Sequence, residues 1–136
     1  MTNLTITATD VSPVEILEQF TGPAAESIAA GQWVRQDANG KIALSNASSS
    51  GEIGQRDGMA LTGGGKNTAI TVVEDGIVDI GNALSAVAID AKIYLSNTDG
   101  TLADSTGTVS KVVGDVTGAW AYTTVDKLLH IKKEAS

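Results

Sequence analysis

Gly63-Gly64-Gly65-Lys66 is the first place in this chain where residue types suggest chemistry, because glycine amides followed by a lysine can cradle phosphate at the start of a helix. The spacing argues against it. Ala60 stands where the first glycine of such a loop belongs, Asn67 follows the lysine in place of Ser or Thr, and the residues beyond read as a strand. Asp37-Ala38-Asn39-Gly40 and Asn97-Thr98-Asp99-Gly100 carry part of a calcium-loop pattern, but both lack the third ligand before glycine and the glutamate six positions after it. Turn formation explains both. The nearest carboxylate pairs for general acid–base work are Glu15 with Glu18 and Asp75 with Asp79, each beside an expected strand or turn where a solvated edge is the ordinary reading. His130 is the single histidine and cysteine is absent, which excludes thiolate zinc sites, disulfides and cysteine nucleophiles, so neither a metal nor another cofactor is expected. Asn3-Leu4-Thr5 and Asn46-Ala47-Ser48 are formal glycosylation sequons in a chain without a signal peptide pattern.

Recognition by packing is the chemistry left. Trp33 and Trp120 are either core filling or anchors at an interface, where tryptophan is over-represented. Leu4, Thr5, Ile6, Thr7 and Ala8 alternate apolar and hydroxyl side chains with the period of a half-buried strand, and Asp10-Val11-Ser12-Pro13 then interrupts the run. Residues 1–12 therefore read as an arm separable from a single domain over residues 13–136. An extended segment with no partner in its own domain can add to the sheet edge of another protein.

Composition narrows the class of protein further. A chain of 136 residues can bury enough surface for a core without staples. Sixteen acidic against nine scattered basic residues give a net charge of −7, which disfavours direct nucleic-acid binding. No stretch approaches a membrane span, and Met1 is followed by polar residues rather than a basic start and an apolar core, so synthesis in a cytoplasm is expected. Fifteen glycines and five aromatics describe a Val, Ile, Leu and Ala core linked by tight turns.

The elements that must hold these residues are short strands. Ile28-Ala29-Ala30-Gly31-Gln32-Trp33-Val34 followed by Asp37-Ala38-Asn39-Gly40-Lys41-Ile42-Ala43 is echoed sixty positions later by Ala88-Ile89-Asp90-Ala91-Lys92-Ile93-Tyr94 followed by Asn97-Thr98-Asp99-Gly100-Thr101-Leu102-Ala103. Each copy predicts a β-hairpin around an Asx-Gly turn. Residues 67–74 and 77–80 predict another, with Asp75-Gly76 as a two-residue turn. Residues 14–20, 58–61 and 127–132 read as single strands, 109–116 and 119–124 as a further pair, 24–30 as at most a helical turn, and 45–51 as a polar loop. Long amphipathic helices are missing, so the expected fold is all-β: a compact small barrel or sandwich of short antiparallel strands with a pseudo-repeated hairpin unit.

The order of these phrases carries a resemblance. Ile28-Ala29-Ala30-Gly31-Gln32-Trp33-Val34, the Asn39-Gly40-Lys41 turn, Gly58-Met59-Ala60-Leu61, Gly76-Ile77-Val78, Ala91-Lys92-Ile93-Tyr94, Asp99-Gly100 and Val113-Gly114-Asp115-Val116 resemble the capsid cement, or head decoration, proteins of tailed bacteriophages. The similarity spans residues 14–132 and lies in order and spacing rather than in any one motif. Gln32 and Trp33 depart from it, standing where the family has an acidic and a small residue. The resemblance implies a barrel or β-tulip fold and homotrimers on the outer capsid surface at threefold and quasi-threefold positions. It implies an amino-terminal arm pairing with strands of the major capsid protein, and no enzymatic activity. Such a protein binds after the shell expands and braces it against internal DNA pressure. A small carbohydrate- or ligand-binding β-module of a phage tail or surface protein is the alternative reading.

Overall fold

The computed structural model describes residues 3–49, 56–118 and 127–132. The expected second half of the 109–124 pair, the end of the polar loop, and Trp120 lie outside the described residues. Among those described, nine strands form one antiparallel sheet: β1 (Val11–Pro23), β2 (Trp33–Gln36), β3 (Ile42–Leu44), β4 (Asp57–Ala60), β5 (Ala69–Ile80), β6 (Lys92–Leu95), β7 (Leu102–Ala103), β8 (Val112–Gly118) and β9 (Lys127–Ile131). The helical content among these residues is two 3-10 turns, Ala8–Asp10 and Gly81–Leu84. The protein is all-β, a strongly curled half-barrel.

Strand order explains the repeat read in the sequence. The path β3-β2-β4-β5-β9-β8-β6-β7 is two four-stranded units, β3-β2-β4-β5 and β7-β6-β8-β9, meeting where β5 pairs with β9. Both echoed phrases form hairpins, β2–β3 with Val34 opposite Leu44 and β6–β7 with Leu95 opposite Leu102. Their turn glycines, Gly40 and Gly100, take the positive φ expected of Asx-Gly turns. A glycine sits at the same place in each unit: a Cβ on Gly58 would strike the Val73 carbonyl of β5, and one on Gly114 the His130 carbonyl of β9. Bare backbone there lets the sheet bend sharply.

The curl brings the two ends of the sheet together. Trp33 N–H donates to Gly100 O at 2.9 Å, Gly100 N–H to Ser45 O at 2.7 Å, Ala47 N–H to Ser96 O at 2.8 Å and Val109 N–H to Ala47 O at 2.8 Å. Inside lies the larger core, built from Trp33, Met59, Val73, Val78, Ile80, Ile93, Leu95, Leu102, Val113, Leu129 and Ile131 among others. Along β2, β4 and β5 the next residues, Val34, Ala60 and Val72, point to the opposite face into a smaller core with Phe20, Ala24, Ile28 and Ile42. These strands are buried on both faces, which is why their sequences run apolar without alternation.

The Asp75-Gly76 hairpin does not form. β5 runs unbroken through both residues, with Gly76 at φ 150°, because β1 pairs along its whole length on one side while β9 joins Gly76, Ile77 and Val78 on the other. Tertiary pairing overrides the local turn preference. Residues 24–30 make no helical turn, only bridges from Ala24 to Ile42 and from Ile28 to Gly64.

Candidate functional site

The arm finds a partner within its own domain. Asn3 bridges Ala103, Leu4 N–H donates to Leu102 O at 2.8 Å, and the Asn3 side chain accepts from Ser96 Oγ at 2.7 Å and donates to Thr98 Oγ1 at 3.3 Å. The segment thus extends the sheet one step beyond β7, correcting the expectation of a ribbon unpartnered at home. Leu4 and Ile6 are half-buried against the larger core while Thr5, Thr7 and Ala8 are exposed, the alternation read from the sequence. A half-open cavity of about 300 Å³ lies between the arm and residues 29–32 and 100–102. The 3-10 turn Ala8–Asp10 then leads into β1, so Pro13 lies inside a strand rather than ending one. Proline is tolerated there because β1 is an edge strand, paired among the described residues with β5 alone.

Trp33 is 2 % exposed and packs in the larger core, which places it as core filling rather than as a surface anchor. Its indole Nε1–H donates to Asp57 Oδ2 at 3.1 Å, and Lys111 Nζ from the other half of the sheet stands 3.6 Å from the same oxygen. Burial pushes the Asp57 carboxyl above its ordinary value, against the opposing pull of Lys111 and the Trp33 bond. Beside it Arg56 forms an ion pair with buried Glu74 at 2.7 Å and lies over the Phe20 ring at 4.1 Å. The hydrogen bond to Glu74 raises the Arg56 pKa further. On the outer surface, Asp115 takes Lys132 at 2.8 Å and His130 Nδ1 at 3.5 Å, and its hydrogen bond raises the Lys132 pKa.

The other candidate motifs are absorbed by structure. Gly64 N–H donates to Ile28 O at 2.8 Å and Ile28 N–H returns the bond at 2.9 Å, so that amide of the glycine run is committed. Asp37 Oδ1 accepts from Asn39 N–H at 2.9 Å and Lys41 N–H at 3.0 Å, an Asx turn. Asp99 Oδ1 accepts from Asn46 Nδ2 at 2.6 Å, which ties the second turn to the first hairpin. Among the described residues no three His, Asp or Glu side chains gather as a metal site.

The carboxylate pairs end up on one surface, the two-stranded ribbon of β1 and β5. Glu18 faces Asp75 across the ladder, Ser12 faces Asp79, and Glu15 faces Ile77. The ribbon is irregular: pairing jumps from Pro13 to Glu15 and from Ile16 to Glu18, leaving Val14 and Leu17 as extra residues. In the sequence, Leu17 breaks the alternation of Val14 and Ile16, and the structure shows that break to be a bulge, whose place is set by the partner strand. The Trp33–Asp57–Lys111 contact was hidden, since its members are 24 and 54 positions apart. No family profile matches the chain, and no curated protein matches it significantly.

Proposed function

We propose that this chain is a structural protein of a tailed-bacteriophage virion. As a homotrimer at threefold and quasi-threefold positions, it coats the expanded capsid and ties neighbouring major capsid subunits together against the pressure of packaged DNA. No catalytic step belongs to this reading. The observation that carries it is the arm, an alternating segment held at a sheet edge by one backbone hydrogen bond, one bridge, two hydrogen bonds of the Asn3 side chain and the half-buried Leu4 and Ile6, beside a half-open cavity. Such a segment can trade its partner at home for a strand of the capsid protein at little net loss of hydrogen bonding. The order of phrases over residues 14–132 supports the same reading. Many modest contacts repeated over a shell then sum to a large stabilisation.

Co-sedimentation of the purified chain with expanded and unexpanded shells of its cognate major capsid protein tests this. The expected result is binding to expanded shells alone. Deleting residues 1–10 should weaken it by at least about tenfold, the loss of roughly 1.4 kcal/mol. Because Leu4 and Ile6 are half-buried, the same deletion should also lower the melting temperature by a few degrees, about 1 kcal/mol. Undiminished binding by the truncated chain would remove the arm from the mechanism.

For the second reading, a carbohydrate- or ligand-binding module, the cavity beside the arm is the seat on offer, and its chemistry gives that reading little support. Its lining is Leu, Ile, Ala, Gly, Thr and Gln, and among the described residues Phe20, Trp33 and Tyr94 offer no exposed aromatic platform.

A further inference from the structure

Val14 and Leu17 are two of three large apolar side chains exposed among the described residues, at 36 % and 66 %, the third being Ile89. Both are the extra residue of a β-bulge, where the ladder skips from Pro13 to Glu15 and from Ile16 to Glu18. Two bulges within four positions forgo ladder hydrogen bonds and turn two aliphatic side chains away from the sheet. Bulges that re-aim side chains are features of function more often than defects.

The strands that carry these knobs bear charges of one sign only. β1 and β5 present Glu15, Glu18, Asp75 and Asp79 and not one Lys or Arg, Glu74 being buried, and no basic residue occurs in positions 1–34 or 67–91. Arg56, the cation beside the ribbon, is engaged with Glu74 and Phe20. The free edge of β1 is also blunted against simple strand addition, since Pro13 and Pro23 lack an N–H and the bulges break the register a partner would follow.

We propose that the β1–β5 ribbon is a second docking surface, on which Val14 and Leu17 insert as side-chain knobs into an apolar socket rimmed by Lys or Arg on a protein partner. Within the reading above, on which this rests, that partner is the major capsid protein. The arm supplies a strand and the ribbon supplies the knobs, joined through the short turn Ala8–Asp10. Like charge disfavours the alternatives: nucleic acid is a polyanion, and a second copy presenting the same ribbon would set its carboxylates against these.

The test uses the full-length chain and shells of the cognate capsid protein, with co-sedimentation at about 50 mM and about 300 mM salt, where screening lengths differ about twofold. V14S/L17S should bind at least about tenfold more weakly with melting temperature unchanged, and Leu17→Met should bind as wild type. E15Q/E18Q should bind with a smaller salt dependence than wild type. If V14S/L17S binds like wild type while arm deletion abolishes binding, the ribbon proposal is overturned and the decoration reading stands. If V14S/L17S instead changes the size of the free oligomer on a sizing column with shell binding intact, the ribbon is a contact between copies and the proposal is again overturned. A wild-type chain that leaves shells bare overturns both.

Discussion

Asp57 is the residue whose setting makes the sharpest prediction. Burial raises its carboxyl pKa above the ordinary 3.8, while Lys111 and the Trp33 N–H limit the rise. A carboxyl raised on folding binds its proton more tightly in the native state, so its charged form costs stability at neutral pH and the cost disappears as pH falls through the raised value towards 3.8. Asp57→Asn keeps an acceptor for Trp33 Nε1 and removes the titration. The stability difference, wild type minus Asp57→Asn, should therefore grow in favour of wild type on acidification through that window. Parallel urea titrations across pH measure it, and a flat difference would contradict the assignment. Little of this was legible beforehand. Trp33 was open between core and interface, and its burial follows from a neighbour, Met59, that only strand pairing supplies. The carboxylates that sequence spacing did flag, Glu15, Glu18, Asp75 and Asp79, share one ribbon because β1 and β5 pair, not because they are near in sequence.

At the scale of elements, two glycines, Gly58 and Gly114, hold neighbouring strands in close approach. Gly114 lies against the His130 carbonyl, so Gly114→Ala must push β8 and β9 apart. The expected cost is about 2–3 kcal/mol, a fall in melting temperature on the order of 10 °C, read by thermal denaturation. An unchanged transition would mean the sheet can relax there freely. The two echoed hairpins were readable because Asp37, Gly40 and Gly100 act through local turn chemistry, and β9 was readable because Leu129 and Ile131 alternate cleanly with His130. Asp75-Gly76 misled for a physical reason: a strand pinned by β1 on one edge and β9 on the other cannot fold back, whatever its dipeptide prefers. The alternating burial of Leu4 to Thr7 was legible, but these residues form no strand, and the seat on Leu102 and Ala103, made through one bridge at Asn3, depends on β7 lying at the end of the sheet.

At the scale of the molecule, the described residues make two similar four-stranded units meeting at β5–β9, with β1 laid along β5 and the outer ends tied together through Trp33, Ser45, Ala47 and Gly100. Closing a sheet this way leaves few free edges, and the two that matter are treated differently. The β7 edge is covered by the chain's own arm, while the β1 edge is spoiled by prolines and bulges and carries acidic and aliphatic side chains. A scaffold with an arm on one edge and a knobbed ribbon on another suits the proposed clamp between subunits of a shell. Cryo-electron microscopy of expanded shells incubated with the purified chain puts that claim to its most direct test. The account predicts three-lobed density at threefold and quasi-threefold positions, with the arm laid along a capsid-protein strand and the β1–β5 ribbon facing the shell. Shells that emerge bare at saturating concentrations of the chain would contradict it.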